Sequence, residues 1–283
     1  MKARLPFLTQ ARVALTHEIR VVNEAGESQV LAIPAERPLT VYVDKRELVT
    51  LMTLGAKPEW LVLGYLLNQR LVTSAAEVAS ITVDWDVGAA AVKTHAGIVD
   101  LAHKTAKRVV TTGCGQGSVF GAVMEHIDCV KLPATTIHQS QITHIVNAIR
   151  LQDSTYKSSG SVHGCALFRG EERLLFVEDV GRHNAIDAIA GWMALQDAGP
   201  VPLARLGLVF YTTGRLTSEM VIKAAQMGIA VVISRSGITQ MGHAVAQGLG
   251  LCAIGRALNK RFLCFSGAPR LLLEMPTLLE ESV

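Results

Sequence analysis

Cys114 lies in the stretch R-V-V-T-T-G-C-G-Q-G-S-V-F-G, residues 108–121, with Gly113 and Gly115 on either side and Gly117 just beyond. A strand-like run (108–112) precedes it and a helix-like run (119–127) follows, which puts the thiol near a helix N-terminus. Unpaired backbone N–H groups and the helix dipole stabilise an anion there. That lowers a thiol pKa and raises the thiolate fraction. The glycines let a backbone or a ligand come close. The same residues also fit a glycine-rich turn with an incidental thiol, and the local sequence leaves both readings open. The other four cysteines, Cys129, Cys165, Cys252 and Cys264, read as small buried hydrophobes.

Three polar turns carry further chemistry. E-D-V-G-R-H-N-A (178–185) gathers Glu178, Asp179, Arg182, His183 and Asn184 between a strand and a helix, where ligand groups collect in α/β sheets. His183 could act as acid or base, and Arg182 could hold a phosphate. A capped turn with an internal salt bridge is the plainer alternative. T-T-G-R-L-T-S-E-M (212–220) sets small hydroxyls and Arg215 before a helix N-terminus, a good anion cradle, but it lacks the phosphate-loop pattern of nucleotide hydrolases. S-R-S-G-I-T (234–239) adds Arg235 after the next strand. The run Arg256, Ala257, Leu258, Asn259, Lys260 and Arg261 is either a solvated basic loop or, with the other arginine turns, part of a site for a phosphate-rich ligand.

The elements that must position these residues follow from periodicity. Residues 38–54 predict two strands with a turn near Asp44-Lys45, and Pro58 starts a helix. Further strands are expected at 77–84 and 89–99, making the first hundred residues an α+β unit. An amphipathic helix spans 139–151, with Ile142, Ile145, Val146 and Ile149 on one face. Residues 154–161 read as a polar loop. A hairpin (162–168 and 173–178), a helix (185–195), a strand (206–211), a helix (218–227) and a strand (229–234) complete the pattern, with Gly228 suited to the position after a helix end. The expected fold class is α/β, a mixed sheet flanked by helices, with a smaller N-terminal α+β subdomain (1–104) before the domain that carries the reactive loop (105–283).

Composition narrows the classes. Apolar residues make up 49% and charged residues 18% of 283, enough to bury a sizeable core. A net charge of +3 is too weak to argue for nucleic acid. No signal segment and no membrane-length apolar run is evident, so a cytoplasmic protein with neither membrane nor nucleic-acid partner is expected. Five widely spaced cysteines without a C-x-x-C suggest neither a disulfide framework nor a zinc site.

P-L-T-V-Y-V (38–43), E-L-V-T-L-M (47–52), E-D-V-G-R-H-N-A (178–185), G-R-L-T-S-E-M-V-I-K-A-A (214–225) and S-R-S (234–236), in this order, resemble the FdhD family of formate dehydrogenase accessory sulfurtransferases. The resemblance runs from about Pro38 to about Arg270. It implies a dimeric, cytosolic sulfur carrier with a fold similar to cytidine deaminase. Such a carrier takes sulfur from a cysteine desulfurase as a cysteine persulfide. It passes it to the molybdenum bis(molybdopterin guanine dinucleotide) cofactor before insertion into the formate dehydrogenase catalytic subunit. The deaminase zinc motif is not present, so no metal or deamination is implied. The persulfide role carries over to Cys114. The family's second loop cysteine is replaced, C-G-Q-G standing for C-x-x-C with Gly117 at its place. The cofactor-binding role carries over to 256–261, and Arg182, His183 and Arg215 offer further contacts. A chaperone that delivers the cofactor without donating sulfur is the rival reading, and a nucleotide-binding hydrolase is a third.

Overall fold

The computed structural model describes residues 5–98, 109–110, 117–118, 130–199 and 201–274. Its first part contains β1 (Phe7–Leu8), β2 (Thr16–Val22), β3 (Ser28–Pro34), β4 (Arg37–Val43), β5 (Arg46–Thr53), α1 (Pro58–Asn68), β6 (Val78–Asp84) and β7 (Ala89–Thr94). The turn between β4 and β5 is the expected one. Asp44 and Lys45 both take positive φ, +46° and +71°, the backbone that matches strand twist in a two-residue hairpin. β1, β6, β7, β4 and β5 form one sheet in that order, and β2 and β3 pair as a separate hairpin. Pro58 opens α1, where a missing N–H costs nothing.

The second part runs through β8 (Val109–Val110), β9 (Gly117–Ser118), β10 (Ile137–His138), α2 (Gln139–Leu151), α3 (Thr155–Ser159), β11 (His163–Arg169), β12 (Glu172–Asp179) and α4 (Arg182–Asp197). It continues with β13 (Leu208–Thr212), α5 (Ser218–Gln226), β14 (Val231–Ser234), α6 (Gln240–Gly248), β15 (Cys252–Leu258), β16 (Arg261–Ser266) and β17 (Leu271–Leu272). A six-stranded sheet takes the order β12-β11-β13-β14-β15-β16. β13, β14 and β15 are parallel, while β11 runs antiparallel to both β12 and β13. The chain therefore folds as a mixed α/β structure with helices flanking mixed sheets.

The central strands are buried on both faces and read as unbroken apolar runs, L-V-F-Y-T and V-V-I-S. Alternate residues serve different layers. Cys165, Leu167 and Phe210 face a core shared with α1, α4, α5 and the N-terminal sheet. Ala166, Phe168 and Tyr211 face α2, which supplies Ile142, Ile145 and Val146, as its sequence stripe predicts. α1 and α4 cross at two glycines. A Cβ on Gly64 would sit 1.7 Å from the Asp187 carbonyl oxygen, and one on Gly191 2.0 Å from that of Trp60. Only glycine permits so close an approach.

Several boundaries differ from expectation. Residues 154–161, expected as loop, contain the short helix α3, whose first turn is capped by Ser154 accepting from Lys157 N at 3.3 Å. α4 starts three residues before the expected 185 because Arg182, His183 and Asn184 form its buried first turn. The basic run 256–261 is the end of β15, a two-residue turn and the start of β16 rather than a loop. The expected helix at 119–127 lies outside the described residues. No helix among those described is long and apolar enough to cross a membrane.

Candidate functional site

β12, β13, β14 and β15 point the same way, so Asp179, Thr212, Ser234 and Leu258 bring their C-terminal ends to one edge of the sheet. The turns that follow are laced together. Thr213 N donates to Gly164 O at 2.9 Å, and Arg235 N donates to Thr212 O at 3.0 Å. Ser234 Oγ donates to Gly214 O at 2.7 Å and accepts from Ser236 N at 2.9 Å. Arg256 N donates to Ser236 O at 2.7 Å. The segments bearing Arg182, Arg215, Arg235 and Arg256 thus form one continuous rim, onto which α4 and α5 also direct their N-termini.

Arg182 is buried with its stem against Gly214, where a Cβ would come within 2.6 Å of Arg182 Cδ. Arg215, Arg235 and Arg256 are exposed. His163, at the start of β11, senses this charge. Burial, then Arg182 and Arg215, lower its pKa, so its imidazole stays neutral beside them. Its Nδ1 lies 3.4 Å from Thr213 Oγ1. An edge of guanidiniums, hydroxyls and helix N-termini is suited to a ligand with several negative charges.

The acidic residues of the 178–185 turn hold structure. Glu178 accepts from Thr155 N at 2.6 Å and Tyr156 N at 3.1 Å, capping α3. Asp179 accepts from the Thr53 hydroxyl, from Leu54 N at 3.2 Å, from Gly181 N at 3.2 Å and from Asn184 Nδ2 at 2.8 Å. Burial still pushes its pKa up to about 6. His183 is buried in the first turn of α4. Its Nε2 lies 3.4 Å from Glu219 Oε2, and burial, then Lys223, pushes its pKa down to about 3. Lys223 Nζ sits 2.8 Å from Asp187 and 3.5 Å from Glu219, and these carboxylates keep the buried ammonium charged.

Of the residues singled out in sequence, Arg182, Arg215 and Arg256 meet at the edge. Lys260 and Arg261 stand beyond it at the exposed tip of the β15–β16 hairpin, with Leu258 and Asn259, whereas Ala257 faces the core at 1% exposure. Cys114 lies outside the described residues. Burial pushes the thiols of Cys165 and Cys252 up to about 12, where little thiolate forms at neutral pH. His163 and the Thr53–Asp179 contact were not expected. The first sat in an ordinary strand pattern, and the second joins residues too distant for any local signal.

A family model described as the FdhD/NarQ family matches residues 34–272. Curated proteins named "Sulfur carrier protein FdhD" are similar along most of the chain. That of Bacillus licheniformis is 32% identical over 242 residues, covering 83% of this chain and 88% of its own. That of Bacillus subtilis is 31% identical with the same coverage. That of Bacillus pumilus is 29% identical over 268 residues, covering 89% and 96%. A crystal structure from Desulfotalea psychrophila, described as a formate dehydrogenase accessory protein, shares the fold. Its TM-score is 0.71 at 23% identity, over 91% of this chain and 98% of that one.

Proposed function

Because the chain belongs to the FdhD/NarQ family, we propose that it is a sulfur carrier acting on behalf of formate dehydrogenase, with Cys114 as the sulfur-bearing residue. Its thiolate attacks the outer sulfur of a persulfide on a cysteine desulfurase. One S–S bond forms as another breaks, the donor leaves as a thiolate, and no net oxidation occurs. The outer sulfur then passes to the molybdenum bis(molybdopterin guanine dinucleotide) cofactor, the cargo, with Cys114 released as a thiolate and the reduced metal of the cargo supplying the two electrons that take the sulfur to the sulfide level. The work is cytoplasmic, and the carrier acts as a homodimer.

The observation that carries the cargo half of this reading is the laced edge bearing Arg182, Arg215, Arg235 and Arg256. A guanine dinucleotide presents phosphates, and guanidiniums pair with phosphate bidentately. The two thiols pushed up to about 12 are poor nucleophiles, which favours a thiol elsewhere. One observation favours the rival reading of a delivery chaperone, namely Gly117 where the family's second loop cysteine stands.

Guanosine diphosphate titrated calorimetrically into the full chain tests the edge. Saturable binding is expected, weakened at least about tenfold in Arg215→Gln/Arg235→Gln. Cys114→Ala should bind the nucleotide as the native chain does yet fail to mature formate dehydrogenase. Full maturation by that variant would move the assignment to the chaperone.

A further inference from the structure

A cavity of about 750 Å³ lies away from the arginine edge and shares no lining residue with it. It opens between the end of α1, the chain leaving that helix, the second half of α4 and the end of α5. Val72, Ala190, Met193 and Met227 give it apolar walls. Its two guanidiniums differ. Arg205 is neutralised by Asp197, with Nη1 3.1 Å from Oδ1. Arg70 has no carboxylate partner among the described residues.

Arg70 is also held in an unusual way. Arg70 N donates to Leu67 O and Leu71 N to Leu66 O, both at 2.9 Å, the double hydrogen bond that ends a helix with a left-handed residue. That place normally goes to glycine. Here an arginine takes φ +55°, a conformation that costs a residue with a Cβ about 1 kcal/mol or more. The Gln226 amide lies between Arg70 Nε and Asn68 O; with the amide assigned so that both of its atoms find complementary partners, its oxygen accepts from Arg70 Nε at 3.1 Å and its nitrogen donates to Asn68 O at 3.2 Å, which orients the side chain. Among the described residues the outer guanidinium nitrogens have no hydrogen-bond or ion-pair partner, which leaves them to meet a ligand. A partial negative charge at the end of α1 offsets only part of the full positive charge.

We propose that this cavity binds an amphipathic anion, its carboxylate or phosphate head on Arg70 and its apolar body among Val72, Ala190 and Met193. The volume suits a small organic ligand, and a few convergent polar groups in an apolar lining are the usual composition of such a site. The site is independent of the sulfur-carrier reading.

Calorimetry on the full chain with decanoate, decyl phosphate and decanol tests it. Saturable binding is expected for at least one anion, the tighter of the two naming the head group, and decanol should bind at least about tenfold more weakly. Arg70→Gly relieves the left-handed strain, so its Tm should match or exceed that of the native chain while anion affinity falls at least about tenfold. Arg70→Gln should lose the same affinity, and Ala194→Leu, which fills the cavity, should weaken both anions. No saturable binding of either anion, or equal affinity in the native chain and both Arg70 variants, would overturn the proposal.

Discussion

The hydroxyl of Thr53, at the end of β5, donates to the carboxylate of Asp179, at the end of β12, and ties the N-terminal sheet to the turn that carries Arg182. Asn184 Nδ2 closes the same junction, donating to both Asp179 Oδ1 and Met52 O. The edge that displays the arginines is therefore positioned by residues from both sheets.

Replacing Thr53 by valine keeps the shape and removes one donor from a buried carboxylate. The expected cost is about 1–3 kcal/mol, read as a lower denaturation midpoint at unchanged slope. Because the hydrogen bond from Thr53 favours the ionised form, the Asp179 pKa should also rise further above about 6, a change that carboxyl NMR can follow.

At the α1–α4 crossing, Gly64→Ala places a methyl group where the Asp187 carbonyl oxygen already stands. Helix propensity alone would make alanine the better residue. The clash is with backbone, so the helices must separate, and a loss of about 1–3 kcal/mol or more is expected. Thermal denaturation of the variant checks this, and a gain in Tm would contradict the observed packing.

His183 makes stability depend on pH with a definite sign. Its folded pKa, about 3, lies below the ordinary 6.5, so the unfolded chain takes up a proton first as the pH falls. Its contribution is intact above about 6.5 and is lost progressively toward 3. Asp179 acts oppositely. Its raised pKa makes its contribution greatest below 3.8 and removes it as the pH rises through about 6. The informative quantity is thus the difference in Tm between the native chain and His183→Gln. It should move against the native chain as the pH is lowered from 7 to 4, and a flat difference would show that His183 is not held neutral.

The legible parts of the fold are those set by local rules. The Asp44-Lys45 turn, Pro58 at a helix start, Gly228 at φ +74° after α5 and the apolar stripe of α2 each have a short-range cause. The start of α4 was not legible, because R-H-N looks like a solvated turn. Its burial depends on Thr53, Glu219 and Met52, which no sequence window joins to it. α6 was hidden by two glycines and polar residues in Q-M-G-H-A-V-A-Q-G, and its visible signal is Thr239, which accepts from Gly242 N at 3.2 Å as a cap. The turns of Arg182, Arg215 and Arg235 could be found because each follows a strand. Their convergence came from the order of strands in the sheet.

The central claim, that sulfur rides on Cys114, is tested most directly by intact-protein mass spectrometry after incubation with a cysteine desulfurase and cysteine. The native chain should gain the mass of one sulfur atom, removable by a reducing agent, and Cys114→Ala should gain none. An equal gain on the variant would place the sulfur on another thiol, and no gain on either protein would contradict the carrier role.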